Sequence, residues 1–300
     1  MRTFLLVFIF LSHSTFAQSP QDSVHTRKLN NFLLISGIAY GATLTSLSEV
    51  WYKNQEKQAF RFFDDRQEWQ QMDKAGHFYS AFHLSQVSAH FLQNAGVAAK
   101  KSSLYGSLIG TALLLPIEIF DGFSSAYGAS WSDLAANTLG ASFFLGQSLL
   151  WKEVRIHPKF SFHRTSLAPL RPNTLGEGLH EEIIKDYNGQ TYWLSFDLYR
   201  FISSSKSEKN FPKWLNIAIG YGAHDMLYAR DAQNQAIGHT PYRQFYLALD
   251  LDLSHYRLPP TTFTHKILNG ALYVVNMVHL PAPTVSYNAR HGWQWYWLYF

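Results

Sequence analysis

Cysteine is absent from all 300 residues, which excludes disulfides, thiol chemistry, a Cys-ligated zinc site and lipid attachment through a cysteine of this sequence. Charge is sparse as well. Asp, Glu, Lys and Arg make up 15% of the chain against 16% aromatic residues, a balance typical of membrane-contacting envelope proteins. The formal net charge of +4 is too small to argue for nucleic acid as a partner. Glycine-rich phosphate loops, His-Glu-x-x-His and Gly-x-Ser-x-Gly are also missing, so nucleotide, zincin and serine-hydrolase chemistry have no motif to stand on. What is abundant is apolar: 47% of the residues are hydrophobic, which excludes a disordered chain. A mean hydropathy of -0.15 is nevertheless too low for a protein made mostly of bilayer-spanning helix.

One positive charge at Arg2, the apolar run 4–11 and the small residues Thr15 and Ala17 predict a secretory signal peptide over residues 1–17. Residues 18–152 are expected to form a four-helix bundle, because apolar residues come in helix-length stretches at 32–50, 75–95, 104–120 and 134–151. Glycines at 37, 41, 106, 110, 140 and 146 predict close approach of helix backbones, in or against a bilayer. Pro116 predicts a kink in the third helix.

Over residues 153–300 the period changes to two. Phe245, Leu247, Leu249, Leu251 and Leu253 alternate with residues that include Asp250 and Asp252, and residues 192–198 and 215–221 repeat the pattern. With 154–162, 285–288 and the aromatic 293–300 this makes about six antiparallel strands, fewer than the eight of the smallest single-chain barrels, so a barrel-like region of open closure is expected. Residues 265–279 read as one extra helix stopped by Pro281 and Pro283, and 166–178 as a surface connection. The fold class is α+β. The terminal Phe300 resembles the assembly signal of outer-membrane barrel proteins, which implies the outer membrane as a partner.

The polar residues of the greasy half carry the chemistry. Asp73 and His77 stand four apart, Glu118 and Asp121 three apart, and Asp133 and Asn137 four apart, so each pair shares a helix face. If the faces converge, His77, Glu118, Asp121 and Asp133 form a candidate catalytic set, with Asp73, Lys74 and Asn137 as binding groups. Their oxygens suit a hard divalent metal as cofactor. Blander roles compete with this: Asp73 as a helix N-cap, Ser130 to Asp133 as a capping box, His77 as a core histidine, and Lys74 as a neutralising cation. The remaining histidines, His157 and His255 among them, show no shared ligand spacing and are expected at surfaces or interfaces, while Asp250 and Asp252 are expected solvated or facing a lumen.

Asp73-Lys74-x-x-His77-Phe78, Glu118-x-x-Asp121 and Asp133-Leu134-x-x-Asn137-x-x-Gly140 resemble the pattern of VanZ-like membrane proteins and, more closely, of the YfiM-type family of predicted periplasmic lipoproteins, over about residues 51–151. The runs 185–194 and 211–216 look like Bacteroidetes envelope proteins of the same group. Two departures stand out: the lipobox cysteine is missing, and Asp121 stands where VanZ-like chains tend to have Gln. The resemblance implies an exported envelope location and no particular reaction. Two functions follow as expectations: binding or scaffolding of a lipid or cell-wall ligand at the outer membrane, or metal- or His-dependent hydrolysis or transfer on a lipid-linked or cell-wall substrate.

Overall fold

The computed structural model describes residues 25–52, 55–202 and 211–300, and the expected signal peptide lies outside them. The first half runs through α1 (Thr26–Tyr52), α2 (Met72–Asn94), α3 (Ala99–Ala112), α4 (Leu115–Gly122) and α5 (Trp131–Leu150). The third apolar stretch is therefore two helices. Pro116 sits in the first turn of α4, where its missing N–H removes no helical hydrogen bond, so the expected kink is a clean break.

Helices α3 and α5 pack on α2 through glycine. A Cβ at Gly110 would stand 2.6 Å from the Ser85 backbone nitrogen, and one at Gly140 would stand 2.1 Å from the Phe78 carbonyl oxygen. Gly37, Gly41 and Gly146 have nothing within 4 Å, so close approach explains the glycines that face α2 and not those three.

The second half carries the short helices α6 (Pro172–Leu175), α7 (Leu179–Lys185), α8 (Leu198–Ile202) and α9 (Asp231–Gln235), the longer α10 (Phe263–Asn276), and six strands. These are β1 (Ile156–Phe162), β2 (Gln190–Phe196), β3 (Leu215–His224), β4 (Tyr242–Leu251), β5 (Ala282–Asn288) and β6 (Gly292–Tyr299). They form one antiparallel meander in chain order, and β1 does not pair with β6, so the sheet is open. The outer edge of β1 is partly covered: Phe160 donates its N–H to Met277 O and accepts from His279 N–H. The connection 166–178 is not purely superficial, because Leu167, Ala168 and Leu175 are buried with Leu227.

The sheet curls strongly enough for the Tyr299 hydroxyl on β6 to lie 2.8 Å from that of Tyr246 on β4 and 3.2 Å from the Thr191 hydroxyl on β2. Its two faces are inverted relative to a water-soluble sheet. The inner face buries the Lys159–Asp250 ion pair at 2.6 Å together with Ser195, Asn216, Thr284 and Ser286. The outer face exposes Ile219, Phe245, Leu247, Leu249, Trp293 and Trp297. Asp250 and Asp252 are thus fully buried, because their strand turns its apolar side outward.

A strained turn joins the halves. Trp69, Gln70 and Gln71, all with left-handed backbone (φ 48°, 51° and 63°), immediately precede α2. Partners from the second half hold them: Trp69 N–H donates to Ala229 O, Gln70 O accepts from the Tyr221 hydroxyl, Gln70 Nε2 donates to Asp231, and Arg243 donates to Gln71 Oε1 at 2.6 Å.

Candidate functional site

Asp73 and His77 lie one turn apart on the first two turns of α2, directly after the left-handed turn. His77 is the hub. Its Nδ1 is 3.0 Å from Asn137 Oδ1 on α5 and 3.7 Å from Glu118 Oε1 on α4, while its Nε2 is 3.6 Å from Asp73 Oδ1 and 3.9 Å from Asp133 Oδ1. Lys74 supplies a second cation, with Nζ 2.5 Å from Asp65 Oδ2, 2.6 Å from Asp133 Oδ1 and 2.9 Å from Asp73 Oδ2. Six of the seven residues singled out in the sequence therefore meet. The seventh, Asp121, lies near them and accepts a 2.7 Å hydrogen bond from the Tyr52 hydroxyl of α1.

The competing structural roles divide. Asp73 is not an N-cap: Gln71 holds that position, and the Asp73 carboxylate turns instead to Lys74, to His77 and to the Tyr187 hydroxyl at 3.1 Å. Ser130 does cap α5, its Oγ accepting from the N–H groups of Ser132 and Asp133. The reciprocal half of a capping box comes from another helix, because Glu118 Oε2 and not Asp133 accepts from Ser130 N–H. Glu118 Oε1 and Asn137 Nδ2 are buried with no hydrogen-bond partner.

Electrostatics sort the acids into two groups. Against the cost of burial, Lys74 and the hydroxyls of Ser130 and Ser132 hold Asp65 below its ordinary range, and His77 and Lys74 do the same for Asp73. Burial pushes Glu118 up, pushes Asp121 up to about 7, and with the charge of Asp73 raises Asp133. Against its own burial, His77 is raised by Asp73, Asp133 and Glu118. The cluster thus divides into two acids held below their ordinary range, Asp65 and Asp73, and three held above it, Glu118, Asp121 and Asp133. The surrounding acids thereby favour the charged form of His77, in which both ring nitrogens donate hydrogen bonds. As for a metal, Asp73, His77 and Asp133 offer ligand atoms within 4.8 Å of one another, but the Lys74 ammonium already stands where a cation would bind these carboxylates.

The cluster forms one wall of a cavity of about 390 Å³. Asp73, His77, Asp121 and Asp133 line it, whereas Lys74, Glu118 and Asn137 do not. It is also lined by Trp51, Tyr52, Trp69, Tyr127, Tyr187 and Tyr192, contributed by α1, the loop regions and β2. The cavity therefore mixes acids with aromatic rings, two of which, Tyr52 and Tyr187, donate to Asp121 and Asp73.

Residues 61–147 match the model of a family described as predicted periplasmic lipoprotein (DUF2279). The DUF2279 segment is less than a third of the chain, yet it contains Asp65 and all seven residues of the predicted site. A periplasmic family accords with an exported, envelope-associated protein. No curated protein and no solved structure matches the chain.

Three participants escaped the sequence reading. Asp65 lies in the stretch before α2 and receives the hydroxyls of Ser130 and Ser132 at 2.6 Å. Tyr187 lies in the turn before β2, and Tyr52 ends α1. Asp65 adjoins the motif in sequence and could have been weighed with it. The two tyrosines carry no local signal, because only the tertiary fold brings them to the acids.

Proposed function

We propose that this is an envelope protein that lies against a membrane through its apolar outer surface and binds a lipid-linked or cell-wall saccharide in the cavity beside His77. The observation that carries this reading is the pairing of aromatic rings with an acid-rich set of carboxyl and imidazole groups in one cavity. Aromatic faces take the apolar faces of sugars, and carboxyl groups with an imidazole supply acceptors and a donor for hydroxyls. An anionic headgroup fits this wall poorly, since acids outnumber cations. Location is supported separately by the sheet, whose polar groups point inward while Trp293, Trp297 and Leu247 face out. The helix Leu29–Tyr52 and the broken stretch Ala99–Gly122, which spans α3 and α4, are long and apolar enough to cross a membrane, and the second exposes Leu108 and Ile119. Binding is favoured over catalysis because the Lys74 ammonium occupies the cation position between Asp73 and Asp133.

The test uses the purified full chain with single-tailed amphiphiles below micellar concentration: dodecyl maltoside, dodecyl phosphate and dodecyltrimethylammonium. Saturable binding of the maltoside, read by calorimetry and weakened at least tenfold in Asp73→Asn, is expected. Equal binding of dodecyl phosphate, or maltoside binding untouched by the substitution, would overturn the saccharide reading.

A further inference from the structure

A second cluster lies at the end of the sheet where β1 begins and β2 and β4 finish. His157 is the second residue of β1, Asp197 follows β2, Asp252 follows β4, and His255 sits in the single 3-10 turn Ser254–Tyr256. An antiparallel meander places these positions together although they span about a hundred residues of sequence.

One donor atom each from His157, Asp197 and Asp252 lies within 4.8 Å of the others. His157 Nε2 is 3.9 Å from Asp252 Oδ2, and His255 Nε2 is 3.0 Å from Asp197 Oδ2 and 3.7 Å from Asp252 Oδ2. Donors each about 2.0–2.2 Å from a tetrahedral ion stand roughly 3.3–3.6 Å apart, so modest contraction would bring these atoms into ligand range. Acid clusters are common without a ligand; the orphaned imidazole is what distinguishes this one. His157 is only 7% exposed, and its Nε2 has no hydrogen-bond partner while facing the two carboxylates. A buried polar atom left unpaired is costly, and a bound cation would satisfy it.

The surroundings are built for orientation. Asp252 accepts from Ser254 N–H at 2.7 Å through Oδ1 and from the Ser254 hydroxyl at 3.0 Å through Oδ2. Asp197 accepts from Arg200 N–H through Oδ1 and pairs with the Arg200 guanidinium at 3.0 Å through Oδ2. These contacts hold the carboxylates in place in the manner of outer-shell partners, and Arg200 leaves the cluster one negative charge rather than two. A cavity of about 880 Å³ reaches His157 and Arg200, with Lys100, Lys152 and Arg257 also on its walls.

We infer that His157, His255, Asp197 and Asp252 form a binding site for a divalent transition metal of the zinc class, opening onto a basic cavity that suits an anionic ligand of that metal. Two imidazoles with two carboxylates is a donor set that favours zinc or its first-row neighbours over calcium or magnesium. The site is independent of the saccharide cavity.

The experiment titrates zinc into the full chain against a chromophoric chelator, with cobalt(II) visible absorption as a second readout of imidazole and carboxylate ligation. One equivalent should bind, with tetrahedral cobalt bands. His157→Gln and Asp252→Asn should each weaken binding at least tenfold while far-UV circular dichroism stays unchanged. His255→Ala, at a less buried position, should do the same should either of the first two fail to fold. His77→Gln should leave zinc uptake intact. Absence of binding to the parent chain, full retention of it in the folded variants, or its loss in His77→Gln would each overturn the site.

Discussion

At the residue scale, Asp73 and Asp133 look alike and should behave differently. Asp73 is held ionised between Lys74 and His77, so Asp73→Asn leaves two cations short of a partner and should cost about 2–3 kcal/mol in denaturant unfolding. Asp133 is an acid whose proton is retained by burial, so Asp133→Asn should cost less than about 1 kcal/mol. The same asymmetry sets a pH dependence. Glu118, Asp121 and Asp133 have folded-state values above those of the unfolded chain, so the folded state holds more protons. Their contribution is complete below about pH 4 and is lost as pH rises through about 7 and beyond. Melting temperature should therefore fall between pH 6 and pH 9, and the fall should be smaller in Asp121→Asn. The sequence made most of this cluster legible, because three- and four-residue spacing on helices states which side chains share a face. It could not assign protons, which depend on Lys74 and His77 meeting acids from three helices.

At the element scale, α2 is the post against which α3 and α5 close. Gly140→Ala puts a methyl group into the Phe78 carbonyl and should destabilise the chain by about 1–3 kcal/mol, whereas Gly146→Ala meets open space on the same helix and should be neutral or stabilising by up to about 1 kcal/mol. Comparing the two melting curves separates packing from helix propensity. The glycines were visible in the sequence, but which of them touch a neighbour was not, since helix rotation is fixed only by the partner. For the strands, the period of two gave the alternation of β4 correctly and left its direction unstated. Alternation says that Leu247 and Asp250 point opposite ways, and only the curl that brings Tyr299 over Tyr246 says which way is in. His157 and His255 were set aside for a related reason: ligand spacing in sequence is informative within one helix or hairpin, and these two lie on β1 and just after β4, with two strands between them in the meander.

At the scale of the whole molecule, the outer surface of the sheet should meet hydrocarbon. Lipid vesicles are expected to co-sediment the full chain and to shift its tryptophan emission to the blue, with quenching by lipids that carry spin labels in the acyl chain. Trp297→Asp combined with Leu247→Lys should lower partitioning at least tenfold without altering circular dichroism, because a charge against the hydrocarbon costs about 2–4 kcal/mol. Retention of full partitioning would place the membrane contact elsewhere.

The left-handed turn at Trp69 to Gln71 bears on how far the chain can be dissected. Each such residue stores about 1–3 kcal/mol, and the groups that hold the turn down, Tyr221, Ala229, Asp231 and Arg243, all come from beyond residue 200. A fragment cut to residues 25–152 keeps the helices yet loses every one of those tethers and Tyr187 with them, so the start of α2 would relax and shift Asp73 relative to Glu118 and Asp133. The stretch that bears the motif is in this sense a tenant of the strands that follow it.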